Sequence, residues 1–150
     1  MIRQAIEADL FEIERLEKKI FNESLGFAFL KQELVDNPFS KIFVYEQDGK
    51  IIGYMSYRQI DSNADIMNFL VDEPYQNQGI GKEIFKFVLE EMKNDGCETI
   101  ILEVRKSNQR AIYFYESFGG KVIRTIPNYY KDEDGLVMII EVNKNDYTIS

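Results

Sequence analysis

The amino-acid sequence predicts a mixed α/β protein of the α+β type, in which a sheet of about seven strands is covered by four helices. Short apolar runs alternate along the chain with longer stripes that have a helical period. Their order is β-α-α-β-β-β-α-β-α-β-β. The chain has 150 residues, only three prolines and no low-complexity linker, so we expect a single domain over residues 1–150.

Seven strands are predicted from the apolar runs and the turn residues between them. They cover residues 2–6, 41–47, 50–57, 64–71, 99–104, 121–126 and 136–142. Asp48-Gly49, between the second and third runs, is a strong hairpin signal, because the type I′ two-residue turn needs positive φ at both positions. The fifth run, TIILEV, is almost unbroken, as is typical of a strand with a parallel neighbour.

Four helices are predicted from apolar stripes with three- and four-residue spacing. They cover residues 9–21, about 27–35, a segment that opens within residues 75–87 and runs to about residue 94, and residues 107–118. Asp9 and Glu12 have the spacing of a capping box at the first helix, and Ser24 is a candidate cap for the second. Gly96 ends the third helix and Gly119-Gly120 ends the fourth.

Composition restricts the partners and the chemistry. Lys and Arg number 18 and Asp and Glu 26, so the net charge is −8, which argues against a nucleic-acid or anionic-membrane surface. Cys97 is the single cysteine, the N-terminal residues are unlike a signal peptide, and no apolar run reaches the roughly 18 residues of a membrane span. We therefore expect a cytoplasmic protein. The chain has no histidine, which removes the commonest general base and metal ligand, and no metal is expected.

Residues 75–87, YQNQGIGKEIFKF, place two glycines at the start of the third predicted helix. The segment lacks the Ser or Thr that completes a Walker loop, and it lacks the third glycine of a dinucleotide fingerprint. Glycines let a ligand approach the backbone, and the first N–H groups of a helix bind phosphate. The pattern predicts either a pyrophosphate site made of backbone, to which Lys82 adds a cation, or a plain turn into the helix.

Two motifs resemble those of the GCN5-related N-acetyltransferases (GNAT). Gln76-x-x-Gly79-x-Gly81, after the strand segment FLVD, is similar to their acetyl-CoA loop, and Asn108-x-x-Ala111-x-x-x-Tyr115-Glu116-x-x-Gly119 to a later helix. The resemblance covers nearly the whole chain and implies the GNAT fold, with a mixed, mostly antiparallel sheet, and acetyl-CoA (coenzyme A) as cofactor. The implied cofactor-binding residues are Leu70, Val71, Gln76, Asn77, Gln78, Gly79, Ile80, Gly81, Lys82, Asn108 and Tyr115. We expect the backbone of Leu70 and Val71 to pair with the pantetheine amides, and the Val71 N–H to face the thioester oxygen.

Within this superfamily the sequence is most similar to the bacterial ribosomal-protein-alanine N-acetyltransferases, of the RimI type. The similar segments are MNFLV at 67–71, LEVR-x-SN at 102–108, YES at 115–117 and NYY at 128–130. The likeness implies a protein or peptide N-terminus as acceptor, in particular that of a ribosomal protein. We expect Asn128, Tyr129 and Tyr130 to lie in a loop and to form a wall of the acceptor site. Gly120 stands where the family usually has an aromatic residue.

Glu103 and Tyr115 are the candidate catalytic residues, because the resemblance makes Glu103 the general base and Tyr115 the general acid. An amine attacks a thioester only when it is neutral, so a base is useful, directly or through water. Glu103 lies in the apolar run TIILEV, where we expect burial to favour its protonated form, with an ion pair to Arg105 or another cation as the alternative. The alternative role of Tyr115 is core packing, and that of Asn108 is a helix cap.

Three functions remain open at this point. The first is direct transfer of acetyl to a protein N-terminal amine, and the second is acetylation of a small amine or a protein lysine. The third is a non-catalytic acyl-CoA-binding module, against which the presence of both Glu103 and Tyr115 speaks. A covalent acyl-cysteine at Cys97 is disfavoured because no histidine can activate the thiol.

Overall fold

The structure, a computed structural model, describes residues 1–142. The strands are β1 (Ile2–Gln4), β2 (Ser40–Gln47), β3 (Lys50–Ile60), β4 (Asn63–Val71), β5 (Thr99–Arg105), β6 (Lys121–Tyr130) and β7 (Glu133–Glu141). The α-helices are α1 (Leu10–Phe21), α2 (Phe27–Val35), α3 (Ile80–Asn94) and α4 (Gln109–Glu116), and short 3-10 turns at Glu7–Asp9 and Glu73–Tyr75 precede α1 and α3. None of the helices in the described residues is long and apolar enough to cross a membrane.

The strands form one mixed sheet in the order β1-β2-β3-β4-β5-β7-β6. Pairing is antiparallel for β1 with β2, β2 with β3, β5 with β7 and β6 with β7. It is parallel for β4 with β5, whose ladder joins residues 63–65 to residues 99–101. The predicted fold class is confirmed, as are the order of elements and the seven strands and four α-helices within the described chain. The Asp48-Gly49 hairpin is also confirmed, with φ of 53° and 74°.

Contacts divide the chain into two units. The first contains Met1–Arg58 and Met67–Met92, and the second contains Gln59–Ile66 and the chain from Lys93 onward. The core of the first unit includes Leu10, Ile13, Leu16, Leu30, Ile42, Val44, Ile51, Tyr54 and Leu70. The buried side chains of the second include Ile100, Leu102, Val104, Ile112, Phe118, Met138 and Ile140. A single domain over residues 1–150 stays a prediction.

In the first unit, α3 lies close to β3 because position 53 carries no side chain. The predicted apolar stripe of α3 is buried, and Ile84 is one of its members. A Cβ atom at Gly53 would lie 3.0 Å from Ile84 Cδ1 and 3.0 Å from the Leu70 carbonyl oxygen. The bare backbone of Gly53 therefore lets α3 pack near the end of β4.

The predicted capping box at α1 is wrong. The Asp9 carboxylate accepts hydrogen bonds from the Ile6 backbone N–H (2.8 Å) and from the Arg3 guanidinium (2.8 Å), so it serves the preceding 3-10 turn. Glu12 pairs with Arg15 instead. An arginine from β1, which the local pattern does not include, competes successfully for Asp9 because a charged donor makes the stronger hydrogen bond.

Ser24 does not cap α2 either. Its hydroxyl donates to Glu17 Oε1 (2.7 Å), and the N–H of Phe27 at the start of α2 donates to Glu14 Oε2 (2.9 Å). Two carboxylates on α1 therefore accept the hydrogen bonds of the turn and of the first N–H group of α2. The spacing of residues 22–27 does not reveal these partners.

The predicted loop at Asn128-Tyr129-Tyr130 is also wrong, because β6 continues through Tyr130. The register with β7 shifts between Ile126 and Tyr130, and Asn128 has a φ of 55°. The asparagine and its neighbours therefore form an irregularity within a strand, and such irregularities re-aim the side chains next to them.

Candidate active site

The start of α3 is built from backbone in an open, left-handed turn. Asn77 and Gly79 have φ of 63° and 83°. A Cβ atom at Gly79 would have no heavy atom within 4 Å, so the space beside it is open to a ligand. The first N–H groups of a helix have no partners within the helix, and here they belong to a helix of 15 residues. The geometry fits a diphosphate bound by backbone.

Two of the three amide side chains in this loop bond to the loop itself or to the end of β4. Gln76 Nε2 donates to the Val71 carbonyl oxygen (2.8 Å), and Gln78 Nε2 donates to the Pro74 carbonyl oxygen (3.1 Å). These two side chains therefore hold the shape of the loop, and the Gln76 backbone N–H also bonds within it, to the Glu73 carbonyl oxygen (3.2 Å). Lys82 is exposed in the first turn of α3 and can supply a cation.

The end of β4 is held in place from two sides. The N–H of Asp72 donates to the Ile52 carbonyl oxygen (2.8 Å), and the buried Asp72 carboxylate accepts a hydrogen bond from Lys19 Nζ (2.6 Å). Leu70 is buried and Val71 is half-buried, so their side chains belong to the core. These two residues can therefore bind a cofactor only through their backbone. The contacts of Asp72 hold this strand end in place without a ligand.

In the second unit, Glu103 is exposed, and the prediction of a buried carboxyl group is wrong. The run TIILEV alternates, so that Leu102 and Val104 are buried while Glu103 faces outward. The alternative ion pair with Arg105 is absent within residues 1–142, since Arg105 Nη1 lies 2.6 Å from Asp132 and 3.4 Å from Glu133. An exposed carboxyl group is accessible to an incoming amine, which suits a base.

Glu103 has a partner from β6 that the sequence did not indicate. The Tyr129 hydroxyl donates to Glu103 Oε1 at 3.0 Å. This hydrogen bond to the carboxylate is the main cause that raises the pKa of Tyr129, and partial burial adds to it. The ring of Tyr130 stands at 89° to that of Tyr129, and the Arg105 guanidinium lies 4.3 Å from the centre of the Tyr130 ring. The structure thus brings Glu103, Tyr129 and Tyr130 together.

Tyr115 is buried on α4, with its phenol shielded from solvent. Burial raises the pKa of this phenol above its ordinary value, and the nearby Tyr130 phenol adds to the effect. Tyr115 is therefore protonated throughout the neutral range, as a general acid must be before it reacts.

Gly120 packs directly on the backbone of Tyr115, because a Cβ atom at position 120 would lie 2.7 Å from the Tyr115 carbonyl oxygen. An aromatic side chain at position 120 would require that backbone to move.

Asn108 caps α4. Its side-chain oxygen accepts a hydrogen bond from the Ala111 N–H at 3.1 Å, which confirms the helix-cap alternative. A contact between Asn108 and the cofactor stays a prediction, and it would have to use the amide nitrogen or the exposed side of the residue.

Cys97 is buried, and burial raises the pKa of its thiol. The thiol donates weakly to the Thr99 carbonyl oxygen (3.5 Å). A protonated, buried thiol is a poor nucleophile. No group of three or more potential metal ligands occurs in the part of the chain that the structure describes.

Sequence reasoning missed Glu17, a fully buried carboxylate on α1. Its Oε1 accepts hydrogen bonds from the Ser24 hydroxyl (2.7 Å) and the Leu25 N–H (3.1 Å). Its Oε2 accepts them from Asn68 Nδ2 (2.7 Å) and from the Tyr54 hydroxyl. One side chain therefore ties the turn between the first two helices to β3 and β4. The single signal in the sequence is that Glu17 follows Leu16 on the apolar side of α1, and that signal is weak.

Residues 7–120 match the model of the acetyltransferase (GNAT) family, and the chain belongs to that family. It is an N-acetyltransferase that takes its acetyl group from acetyl-CoA. A Bacillus subtilis protein with the provisional name ribosomal protein bS18-alanine N-acetyltransferase is 30% identical over 138 residues, which cover 91% of each chain. The Escherichia coli K12 enzyme of the same name is 36% identical over 93 residues, 62% of this chain and 63% of the relative. The crystal structure of the ribosomal-protein-S18-alanine N-acetyltransferase from Escherichia coli superposes with a TM-score of 0.87 at 27% identity, over 98% of both chains.

Proposed function

We propose that this N-acetyltransferase moves acetyl directly from acetyl-CoA to the N-terminal α-amine of a protein, and that its natural acceptor is a ribosomal protein in the cytoplasm. The names of the similar bacterial enzymes support the acceptor class. The observation that carries the chemistry is the exposed Glu103 carboxylate, held by the Tyr129 hydroxyl at 3.0 Å. A charged base in reach of solvent can meet an amine that arrives at the end of a peptide.

On the donor side, the backbone N–H groups at Gly79, Ile80 and Gly81 would hold the diphosphate of coenzyme A. The backbone of Leu70 and Val71 would pair with the pantetheine amides as an added strand does, and the Val71 N–H would donate to the thioester oxygen. When bound, acetyl-CoA supplies the electrophilic thioester carbonyl. The left-handed turn at Gly79 and the anchored end of β4 support this assignment.

On the acceptor side, Glu103 would take a proton from the amine, directly or through one water molecule. Tyr115 would donate its phenolic proton to the leaving sulfur, and its raised pKa keeps that proton available at neutral pH. The exposed ring of Tyr129, with Tyr130 and Asn128, would line the path of the peptide. Cys97 takes no part, because its thiol is buried and protonated.

The proposal is tested by a turnover assay that follows thiol release from acetyl-CoA with three acceptors. These are a peptide with a free N-terminal alanine, the same peptide with a blocked N-terminus and an added lysine, and a small polyamine. We expect release with the free N-terminus alone. Equal or faster thiol release with the lysine peptide or the polyamine would contradict a protein N-terminus as the acceptor and would indicate a lysine or a small amine instead. Tight acetyl-CoA binding without release, whatever the amine, would favour a binding module.

A further inference from the structure

Gly135 on β7 occupies a position where a side chain cannot fit. Its backbone φ is not in the left-handed region, so conformation does not explain the glycine. A Cβ atom there would lie 2.9 Å from both Cβ and Cδ2 of Tyr129. Since real Cβ atoms essentially never approach so closely, any other residue at position 135 would push the Tyr129 ring away.

The side chain of Tyr129 passes over Gly135 to reach Glu103. The strand β7 lies between β5 and β6 in the sheet, with Gly135 opposite Arg105 of β5 and Ile126 of β6. Tyr129 starts on β6, packs over the bare Gly135 backbone, and reaches the Glu103 carboxylate on β5. A side chain at position 135 would stand in this path.

Asn128 and Arg105 make further contacts that bear on the pair formed by Tyr129 and Glu103. Asn128 has a positive φ at the register shift, and its N–H donates to Asp134 Oδ1 (2.9 Å), which fixes the irregularity just before Tyr129. Arg105 is engaged by Asp132 and Glu133, so this cation does not compete for the Glu103 carboxylate. Asn128 and Arg105 are therefore each bound to a partner other than Glu103.

We propose that Tyr129 is a positioning residue for the base Glu103, and that Gly135 is required for the contact. The hydroxyl holds Oε1, and among the described residues Oε2 accepts no hydrogen bond, so Oε2 is the oxygen that receives the proton from the amine. Tyr129 keeps its own proton throughout. This inference rests on the proposed function, because it takes Glu103 as the base.

The hydroxyl of Tyr129 can be tested apart from its ring, because Tyr129→Phe removes only the hydroxyl. If the hydroxyl bonded the peptide, its loss would raise the KM for the peptide. If the hydroxyl holds Glu103, Tyr129→Phe lowers kcat about ten-fold, as expected when a hydrogen bond to a charged group is lost, and leaves the KM for the peptide within about two-fold. Tyr113→Phe, at an exposed tyrosine on α4, is the matched control and leaves both constants unchanged.

The decisive experiment combines kinetics of Tyr129→Phe, Gly135→Ala and the double variant with NMR titration of ring-labelled tyrosine. The Tyr129 signal is assigned by its loss in Tyr129→Phe. Because the bond to Glu103 raises the pKa of Tyr129, we expect Gly135→Ala to lower that pKa toward the ordinary tyrosine value. We also expect Gly135→Ala to lower kcat in the wild-type background and to add little in Tyr129→Phe, since both changes remove one contact.

An unchanged kcat in Tyr129→Phe, or a rise in peptide KM alone, would overturn the inference, and so would an unchanged Tyr129 titration in a folded Gly135→Ala variant. Glu103→Gln separates these failures from failure of the proposed function. Near-normal turnover of Glu103→Gln would remove Glu103 as base, and the Tyr129 titration alone would then decide whether Tyr129 holds that carboxylate.

Discussion

At the scale of single residues, the chemistry is divided between an exposed carboxylate and a buried phenol. Glu103 is exposed on β5, whereas Tyr115 is buried on α4, where burial raises the pKa of its phenol. The two environments suit opposite directions of proton transfer, because burial keeps a proton on a phenol, whereas an exposed carboxyl group can be reached by an incoming amine. The pair therefore has the asymmetry that an acid–base mechanism needs.

Tyr115→Phe tests the acid. The variant keeps the ring and its packing and removes only the proton donor, so we expect kcat to fall about 100-fold, within the range of general-acid contributions. The dissociation constant for coenzyme A, measured by calorimetry, should change by less than about two-fold. Turnover equal to that of the wild type would leave Tyr115 with a packing role alone.

At the scale of elements, the start of α3 depends on glycine for conformation. Gly79 before α3 and Gly96 after it have φ of 83° and 86°, and neither would place a Cβ atom within 4 Å of another group. Alanine at either position costs about 1–2 kcal/mol of stability, because an L residue is strained there.

Gly79→Ala and Gly96→Ala therefore form a matched pair. We expect both to lower the free energy of unfolding by similar amounts, whereas only Gly79→Ala should weaken coenzyme A binding, by about ten-fold or more. Calorimetric titration with coenzyme A measures the difference. Equal dissociation constants for the two variants would mean that the turn at Gly79 does not contact the diphosphate.

The elements themselves were predictable because their signals are local. Hairpin residues, apolar stripes and helix-ending glycines determine the order of strands and helices, and the Asn108 cap depends on a neighbour three residues away. The errors have a common cause in distant partners. Asp9 is taken by an arginine from β1, and Tyr129 lies in a strand that the register with β7 extends.

The site was only partly predictable for the same reason. The glycine loop, Glu103 and Tyr115 stand in recognisable motifs, but the exposure of Glu103 depends on which face of β5 is covered. Glu17 resembles a surface residue of α1, and its partners on β3 and β4 lie 37 and 51 positions away. The need for glycine at position 135 can be recognised only from the packing of the Tyr129 side chain over it.

At the scale of the whole molecule, each of the two units carries part of the proposed reaction. The first contains the glycine loop and the end of β4, and the second contains Glu103, Tyr115, Tyr129 and the buried Cys97. The chain has no histidine, and burial raises the pKa of its single cysteine thiol, so Cys97 is poorly suited to carry the acetyl group. This supports the proposal that acetyl passes directly from acetyl-CoA to the amine.

Intact-mass spectrometry tests this direct transfer. The enzyme is incubated with acetyl-CoA alone, and then with a peptide that has a free N-terminal amine. We expect the mass of the protein to stay unchanged in both steps, with thiol release and an acetylated peptide N-terminus appearing only in the second. An acetyl adduct on the chain that forms with acetyl-CoA alone and disappears when peptide is added, at the rate of turnover, would contradict direct transfer.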